Sequence, residues 1–261
     1  MKIAAVGDNC IDLYENFKKA FPGGNPVNVA VYFKRLGGRA SYTGAVGDDE
    51  YGKFMIDAIR NKGVDVSNVK ILPGKTAITH VKLVDGDRIL GDYEEGVMKE
   101  FKISDEDIEF FKNHDLVVSG LWGRVEDDLH KIKKKGIPIA FDFADKLDSP
   151  IVEKAIYDVD YAFFSYDGGD DDFIREYMKK IHRKGPKVVI VTLGEKGSIC
   201  YDGTSFLYEG VIPCEVVDAM GAGDSYIAGF LFGILSGKKI EECMKIGAQN
   251  ASTTIKYFGA W

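Results

Sequence analysis

Short runs of apolar residues alternate along this chain with longer stretches in which apolar positions recur every three or four residues. Ile3–Val6, Ser41–Val46, Leu116–Ser119, Ile137–Phe141, Tyr161–Ser165 and Val188–Thr192 are too short for helices and show no polar alternation. They predict strands buried on both faces. Val29–Gly37, Lys53–Asn61, Ser225–Ser236 and Ile240–Lys256 have helical spacing, and Gly37 and Gly63 supply stops. Strand and helix signals alternating in this way predict βαβ units and a largely parallel sheet.

Residues 76–93 break the rhythm. Thr76–Val84 alternates in polarity, Asp85-Gly86 signals a turn, and Asp87–Tyr93 runs back. Such a hairpin can be an edge of the main sheet, a dimer surface or a lid. The reading adopted is a lid that also pairs with another subunit. A second hairpin is expected where Ile199–Tyr201 runs back after Leu193–Ser198.

In an open parallel sheet, ligands gather beyond the carboxyl ends of the strands. Asp8, Asn9 and Asp12 follow the first strand and are early candidates, with an Asx-type turn as the plain alternative for Asn9. Gly23-Gly24 precedes Asn25 and Asn28 at a helix start, where amide groups can both donate to and accept from sugar hydroxyls. The densest signal is Asp218-Ala219-Met220-Gly221-Ala222-Gly223-Asp224-Ser225, which follows a run of valines and isoleucines and opens an apolar helix. Amides at a helix N-terminus favour an anion, so Gly221, Ala222 and Gly223 form a candidate anion hole. Asp224 beside it is either a cap or a base taking a proton from a hydroxyl, and the local residues leave both open.

Composition narrows the classes. With 261 residues and a net charge of −7, the chain has room for a large α/β domain and lacks the basic surface that nucleic acid requires. Lys131-Ile132-Lys133-Lys134-Lys135 reads as a solvated helix end, and Asp170-Asp171-Asp172 as a helix start. Cys10, Cys200, Cys214 and Cys243 form no CxxC pair, and His80, His114, His130 and His182 have no ligand spacing. No apolar run reaches the length of a membrane span and no signal peptide is evident. The expectation is a cytoplasmic protein with no membrane or nucleic-acid partner.

There is no G-x-x-x-x-G-K-[ST], and Tyr226 stands where a dinucleotide motif needs its third glycine. Gly23-Gly24-Asn25 with Asn28, Ala30, Leu36-Gly37, Gly44, Val46-Gly47-Asp48-Asp49 and Gly52 resembles the N-terminal signature of the ribokinase-like (PfkB) carbohydrate kinases. Asp218 with Gly221-Ala222-Gly223-Asp224-Ser225 resembles their C-terminal signature. Gly91–Val97, Phe141–Lys146 and Gly259-Ala260-Trp261 are similar to members of that family acting on O6 of sugar–amine adducts (fructosamines).

The resemblance implies a single doubly wound α/β domain over residues 1–261, with helices on both faces. The small β lid would span about 76–95, with 11–20 as a candidate second piece. Asp224 would be the base, and Gly221, Ala222 and Gly223 the anion hole. Asp8, Asp12, Gly24, Asn25, Asn28 and, less directly, Glu95 and Asp142 match substrate contacts. Thr192, Gly194, Gly197, Ala248, Asn250 and Ala251 match the nucleotide site. ATP and Mg2+ are implied, and a monovalent cation requirement is left open. Two positions depart from the family pattern: Ala219 replaces a frequent Thr, and Ser165-Tyr166-Asp167-Gly168 stands where Asn-x-x-Glu organises the metal. The metal's protein ligands are therefore unassigned. Kinases for fructose, ribose or a nucleoside, and a binder without catalysis, remain the alternatives.

Overall fold

The computed structural model describes residues 1–14, 19–84 and 87–261, with the backbone alone for 82–84 and 87–90. Its strands are β1 (Lys2–Val6), β2 (Cys10–Tyr14), β3 (Lys19–Gly23), β4 (Arg39–Thr43), β5 (Ala45–Gly47), β6 (Lys70–Leu72), β7 (Ile78–Val84), β8 (Asp87–Glu94), β9 (Leu116–Gly120), β10 (Ile139–Asp142), β11 (Tyr161–Ser165), β12 (Val188–Thr192), β13 (Ser198–Tyr201) and β14 (Phe206–Glu209). The α-helices are α1 (Asn25–Arg35), α2 (Glu50–Asn61), α3 (Asp105–Phe111), α4 (Leu129–Lys134), α5 (Pro150–Ala155), α6 (Asp172–His182), α7 (Ala222–Leu235) and α8 (Ile240–Thr254).

Eight strands form the central sheet in the order β14-β13-β12-β11-β10-β9-β1-β4. From β4 to β12 every pair is parallel, and β13 and β14 are antiparallel. Alternate residues of each strand face opposite layers. Ala4, Val6, Val117, Phe141 and Phe164 enter a core under α3–α6. Ile3, Ala5, Val118, Ala140 and Phe163 enter a second core under α1, α2, α7 and α8. This two-sided burial is why the strands read as continuous apolar runs. The fold is the doubly wound α/β architecture expected.

The chain runs outward from β1 to β4 and then returns to β9 on the other side of β1. The strand order therefore reverses between β1 and β9, a topological switch point where a crevice opens beyond the strand ends.

A second sheet has the order β3-β2-β7-β8, with β2 and β7 parallel and the outer pairs antiparallel. The 76–93 hairpin is thus not an edge of the main sheet. It joins strands that leave the end of β1 and lead into α1. The Asp85-Gly86 turn signal, and 15–18 of the 11–20 segment, lie outside the described residues.

Several boundaries differ from the pattern reading. Ser41–Val46 is two strands, β4 and β5, separated at Gly44. β10 starts at Ile139, because Pro138 has no N–H to give to a ladder. α2 starts at Glu50, capped by Asp49, which accepts from the Gly52 N–H at 2.8 Å. The valine-rich segment before Asp218 forms no strand, and Val211, Val216 and Val217 are at least half exposed. The other local readings hold: Asp171 caps α6, α4 ends just before Gly136, and β12 and β13 form the second hairpin.

Candidate active site

The site is built on the starts of two helices brought together. Gly24 caps α1 with φ of 112°, and a Cβ there would lie 2.7 Å from the Asn9 Cα and 2.8 Å from the Asp8 carbonyl oxygen. Only glycine lets the start of α1 pack this closely onto the turn after β1. Gly221 caps α7 in the left-handed region (φ 73°), where a side chain would collide with the Tyr32 hydroxyl. These contacts seat both N-termini at the crevice beside the switch point.

Asp224, in the first turn of α7, is gripped by both asparagines of α1. Asn25 Nδ2 donates to its Oδ1 at 2.6 Å and Asn28 Nδ2 to its Oδ2 at 2.7 Å. Asn25 Nδ2 also donates to Asp142 Oδ2 at 2.8 Å, and its backbone N–H donates to Asp8 Oδ2 at 3.3 Å. One residue thus ties together carboxylates from the ends of β1, β10 and the start of α7. Asp8 Oδ1 and Asn25 Oδ1 are buried and have no hydrogen-bond partner among the described residues. Groups of this kind mark a place for polar ligand atoms.

The electrostatics are unusual for carboxylates. Burial pushes Asp224 up to about 6, against the pull of the Asn28 and Asn25 hydrogen bonds. Burial also drives Asp8 and Asp142 up to about 7, and the Asp224 charge adds to both. Among the described residues none of the three makes an ion pair with Lys or Arg, so mutual repulsion is not offset by a local cation. Asp12, on β2, is buried beside the Cys10 thiol, whose Sγ lies 3.5 Å from Oδ1.

On the other side of the α7 N-terminus lies a cavity of about 620 Å³. Thr192, Gly194, Gly197, Ala248 and Ala251 line it, together with Ala222 and Gly223 from the anion-hole motif. A Cβ at Gly194 or Gly223 would meet nothing within 4 Å, so backbone is open to the cavity at both places. The Ala222 N–H makes a turn bond to the Ala219 carbonyl at 3.2 Å. For the N–H groups of Gly221 and Gly223, no acceptor is found among the described residues.

Not every sequence candidate lies at the site. Asn250 is buried away from the cavity. Its Nδ2 donates to the Ser225 carbonyl at 2.7 Å, and its Oδ1 accepts from Arg35 at 2.7 Å. It clamps α8 to α7 and α1. Asn9 likewise turns into the core, donating to Tyr42 Oη at 2.9 Å and the Ala45 carbonyl at 2.7 Å. Glu95 is half-exposed where the small sheet returns, and it pairs with Arg124 at 2.8 Å. Glu94 pairs with His80 at 3.0 Å, so neither of these acids is simply solvated.

Three groups escaped the sequence reading. Arg124 follows the Gly120–Gly123 turn after β9 in a left-handed conformation (φ 55°), and glycine spacing after a strand was the available hint. Val211, Ile212 and Val216 wall the cavity beside the α7 N-terminus. They were hidden because an apolar run gives no sign of whether it faces a core or a cavity. Trp261 donates from Nε1 to Asn28 Oδ1 at 2.7 Å, a contact that no local pattern announces.

No group of three or more His, Cys, Asp or Glu residues positioned to hold a metal ion is found among the described residues. Ser165, Tyr166 and Asp167, at the departure from Asn-x-x-Glu, line the large cavity, with Asp167 and Glu195 its carboxylates. No helix is long and apolar enough to cross a membrane among the described residues.

Comparison with known proteins gives the family. The model of the pfkB family of carbohydrate kinases matches residues 2–261. The chain is 45% identical over 259 residues to fructoselysine 6-kinase of Shigella flexneri, covering 99% of each chain. It is 32% identical to the fructosamine kinase FrlD of Bacillus subtilis, covering 100% of this chain and 93% of that one. Its fold matches the Arabidopsis thaliana ribokinase complexed with ribose and ATP at a TM-score of 0.86 and 25% identity, covering 99% and 93% of the two chains. A match over nearly every residue, on a site assembled from both signatures, places this chain in the pfkB family: it is a carbohydrate kinase.

Proposed function

We propose that this kinase transfers the γ-phosphoryl group of ATP to O6 of a fructosamine, with fructoselysine as the substrate best supported. The observation carrying this reading is the position of Asp224 between a polar, carboxylate-rich cleft and an apolar cavity, held by two amides at a helix N-terminus. The sugar lies against Asp8, Asp12, Gly24, Asn25 and Asn28, and the nucleotide fills the cavity beyond Gly223. Asp224 accepts the O6 proton, O6 bonds to the γ-phosphorus, and the bond to the β-phosphate oxygen breaks to release ADP. The amides of Gly221 and Gly223 and the α7 dipole face the charge that moves during transfer. A kinase of this kind uses ATP with Mg2+, but the described acids make no ready-made metal cage, and no step is assigned to the ion.

A sugar bearing a protonated amine suits this cleft better than a neutral one, because Asp8, Asp142 and Asp224 have no cationic partner among the described residues. We read the small sheet as a lid over the sugar and as the surface through which two copies pair. Sedimentation of the purified protein as a monomer at micromolar concentration would end the pairing part. The central test is a coupled ADP-release assay on fructoselysine, fructose, ribose and a nucleoside. Turnover of fructoselysine well above the others is expected. Equal turnover of fructose would overturn the narrow assignment, and no turnover of any sugar would overturn the reading as a whole.

A further inference from the structure

Residues 257–261 touch the small sheet, the anion-hole motif and α1. Phe258 packs on Tyr14 and Phe21 of the small sheet, with ring centroids 6.1 and 5.9 Å away. The Gly259 N–H donates to Asp218 Oδ2 at 2.8 Å, at the head of the anion-hole motif. The Ala260 carbonyl accepts from the hydroxyls of Tyr32 and Tyr257. Trp261 reaches Asn28.

The chemistry of that last contact is directional. An indole N–H only donates, so the atom of Asn28 facing it must be the carbonyl oxygen. A planar amide that turns its oxygen to Trp261 must turn its NH2 the opposite way, and that NH2 is what donates to Asp224 Oδ2 at 2.7 Å. Without the indole N–H, the two ends of Asn28 are nearly equivalent in shape. A flipped amide would aim an oxygen lone pair at a carboxylate. We propose that Trp261 is a positioning residue for catalysis: it fixes the orientation of Asn28 and thereby holds Asp224 aimed at the substrate hydroxyl. It touches neither reacting atom and acts through the amide alone. This rests on the reading of Asp224 as the base.

The test is a double-mutant cycle on the full chain, with fructoselysine and ATP as substrates. Trp261→Phe keeps a ring and removes the donor. The expected result is a kcat lower by about tenfold, in line with one hydrogen bond, with the KM for ATP and the melting temperature nearly unchanged. In an Asn28→Ala background the same substitution should cost less than about twofold, because nothing remains to be oriented. A purely structural role for the ring would lower stability and carry through the Asn28→Ala background undiminished, and that result overturns the proposal. So does retention of wild-type kcat by Trp261→Phe. If that variant does not fold, Tyr32→Phe replaces it in the same cycle, since it removes one of the two hydroxyl donors to the Ala260 carbonyl and loosens the segment carrying Trp261. A loss that vanishes with Asn28→Ala supports the proposal, and an additive loss overturns it. Activity surviving in Asp224→Ala would instead defeat the assignment of the base, so the two failures are distinguishable.

Discussion

The two halves of the site are built on opposite principles. The half proposed for the sugar is a closed hydrogen-bonded cluster in which Asn25 joins Asp8, Asp142 and Asp224. The half proposed for the nucleotide is an open cavity walled by glycine backbone and by valines that are at least half exposed. The first is preorganised and electrostatically costly. The second is cheap to keep, and its apolar wall gains by being covered when a flat, apolar ring lies on it. Chemistry that depends on a charge at one atom needs the first kind of construction, whereas holding a common co-substrate needs only the second.

The largest expected break is Asp224→Ala. A positioned base contributes roughly 10²–10⁴-fold, so turnover should fall by at least a hundredfold while sugar affinity, measured by titration calorimetry, changes much less. Retention of more than about a tenth of wild-type turnover would remove Asp224 from its role.

The strain in the sugar half should appear as a pH dependence of stability. Asp8, at about 7, binds its proton more tightly in the fold than in the unfolded chain, where the usual value is 3.8. Between those values the folded state holds more protons, so this group's contribution to stability falls as pH rises from about 4 to about 7. Asp8→Asn keeps an oxygen to accept from the Asn25 N–H and removes the charge. It should raise the melting temperature at pH 8 by roughly 5 °C and leave it nearly unchanged at pH 4, where the wild-type carboxyl is already neutral. An equal shift at both pH values would contradict the assignment. Activity should move the other way, with a higher KM for the sugar. The acid limb of kcat/KM should fall near pH 6 as Asp224 gains its proton.

The nucleotide half should respond more gently and separately. Val216 is 61% exposed, so replacing it does little to the fold. Val216→Asp should raise the KM for ATP by roughly fivefold, through the lost apolar contact, with the sugar KM unchanged. A change in sugar KM alone would mean that the cavity and the cleft have been assigned the wrong way round.

How much of this was legible depended on whether the physics was local. The doubly wound sheet could be read because strands buried on both sides leave unbroken apolar runs, as in Val188–Val191. The helix-start glycines and Asp224 were readable because backbone geometry and charge at an N-terminus leave marks within a few residues. Asn250 was misplaced because an amide on a helix that borders a cavity gives no sign of which way it faces, and here Arg35 claims it. The cavity-facing role of the valine segment 211–217 was not readable because apolar residues exposed for a ligand and apolar residues buried in a core have the same composition. Trp261 and Arg124 were out of reach, since their partners Asn28 and Glu95 lie 233 and 29 positions away and only the fold brings them together.

The smallest effect belongs to Glu95, at the end of the small sheet. Its pair with Arg124 leaves both side chains nearly half exposed, at 46% and 45%. Exposed ion pairs contribute little and weaken with salt. If the pair acts as a latch between the small sheet and the β9 loop, Glu95→Gln and Arg124→Gln should each raise the sugar KM by roughly two- to threefold. The double variant should then do no worse than either single, and the effect should fade above roughly 0.5 M salt. If Glu95 instead contacts the sugar–amine directly, Glu95→Gln should cost well beyond threefold and Arg124→Gln should not reproduce it. Steady-state KM values for the three variants at two salt concentrations separate these cases. They also decide whether the preorganised half of the site ends at Asp8 or extends to the small sheet.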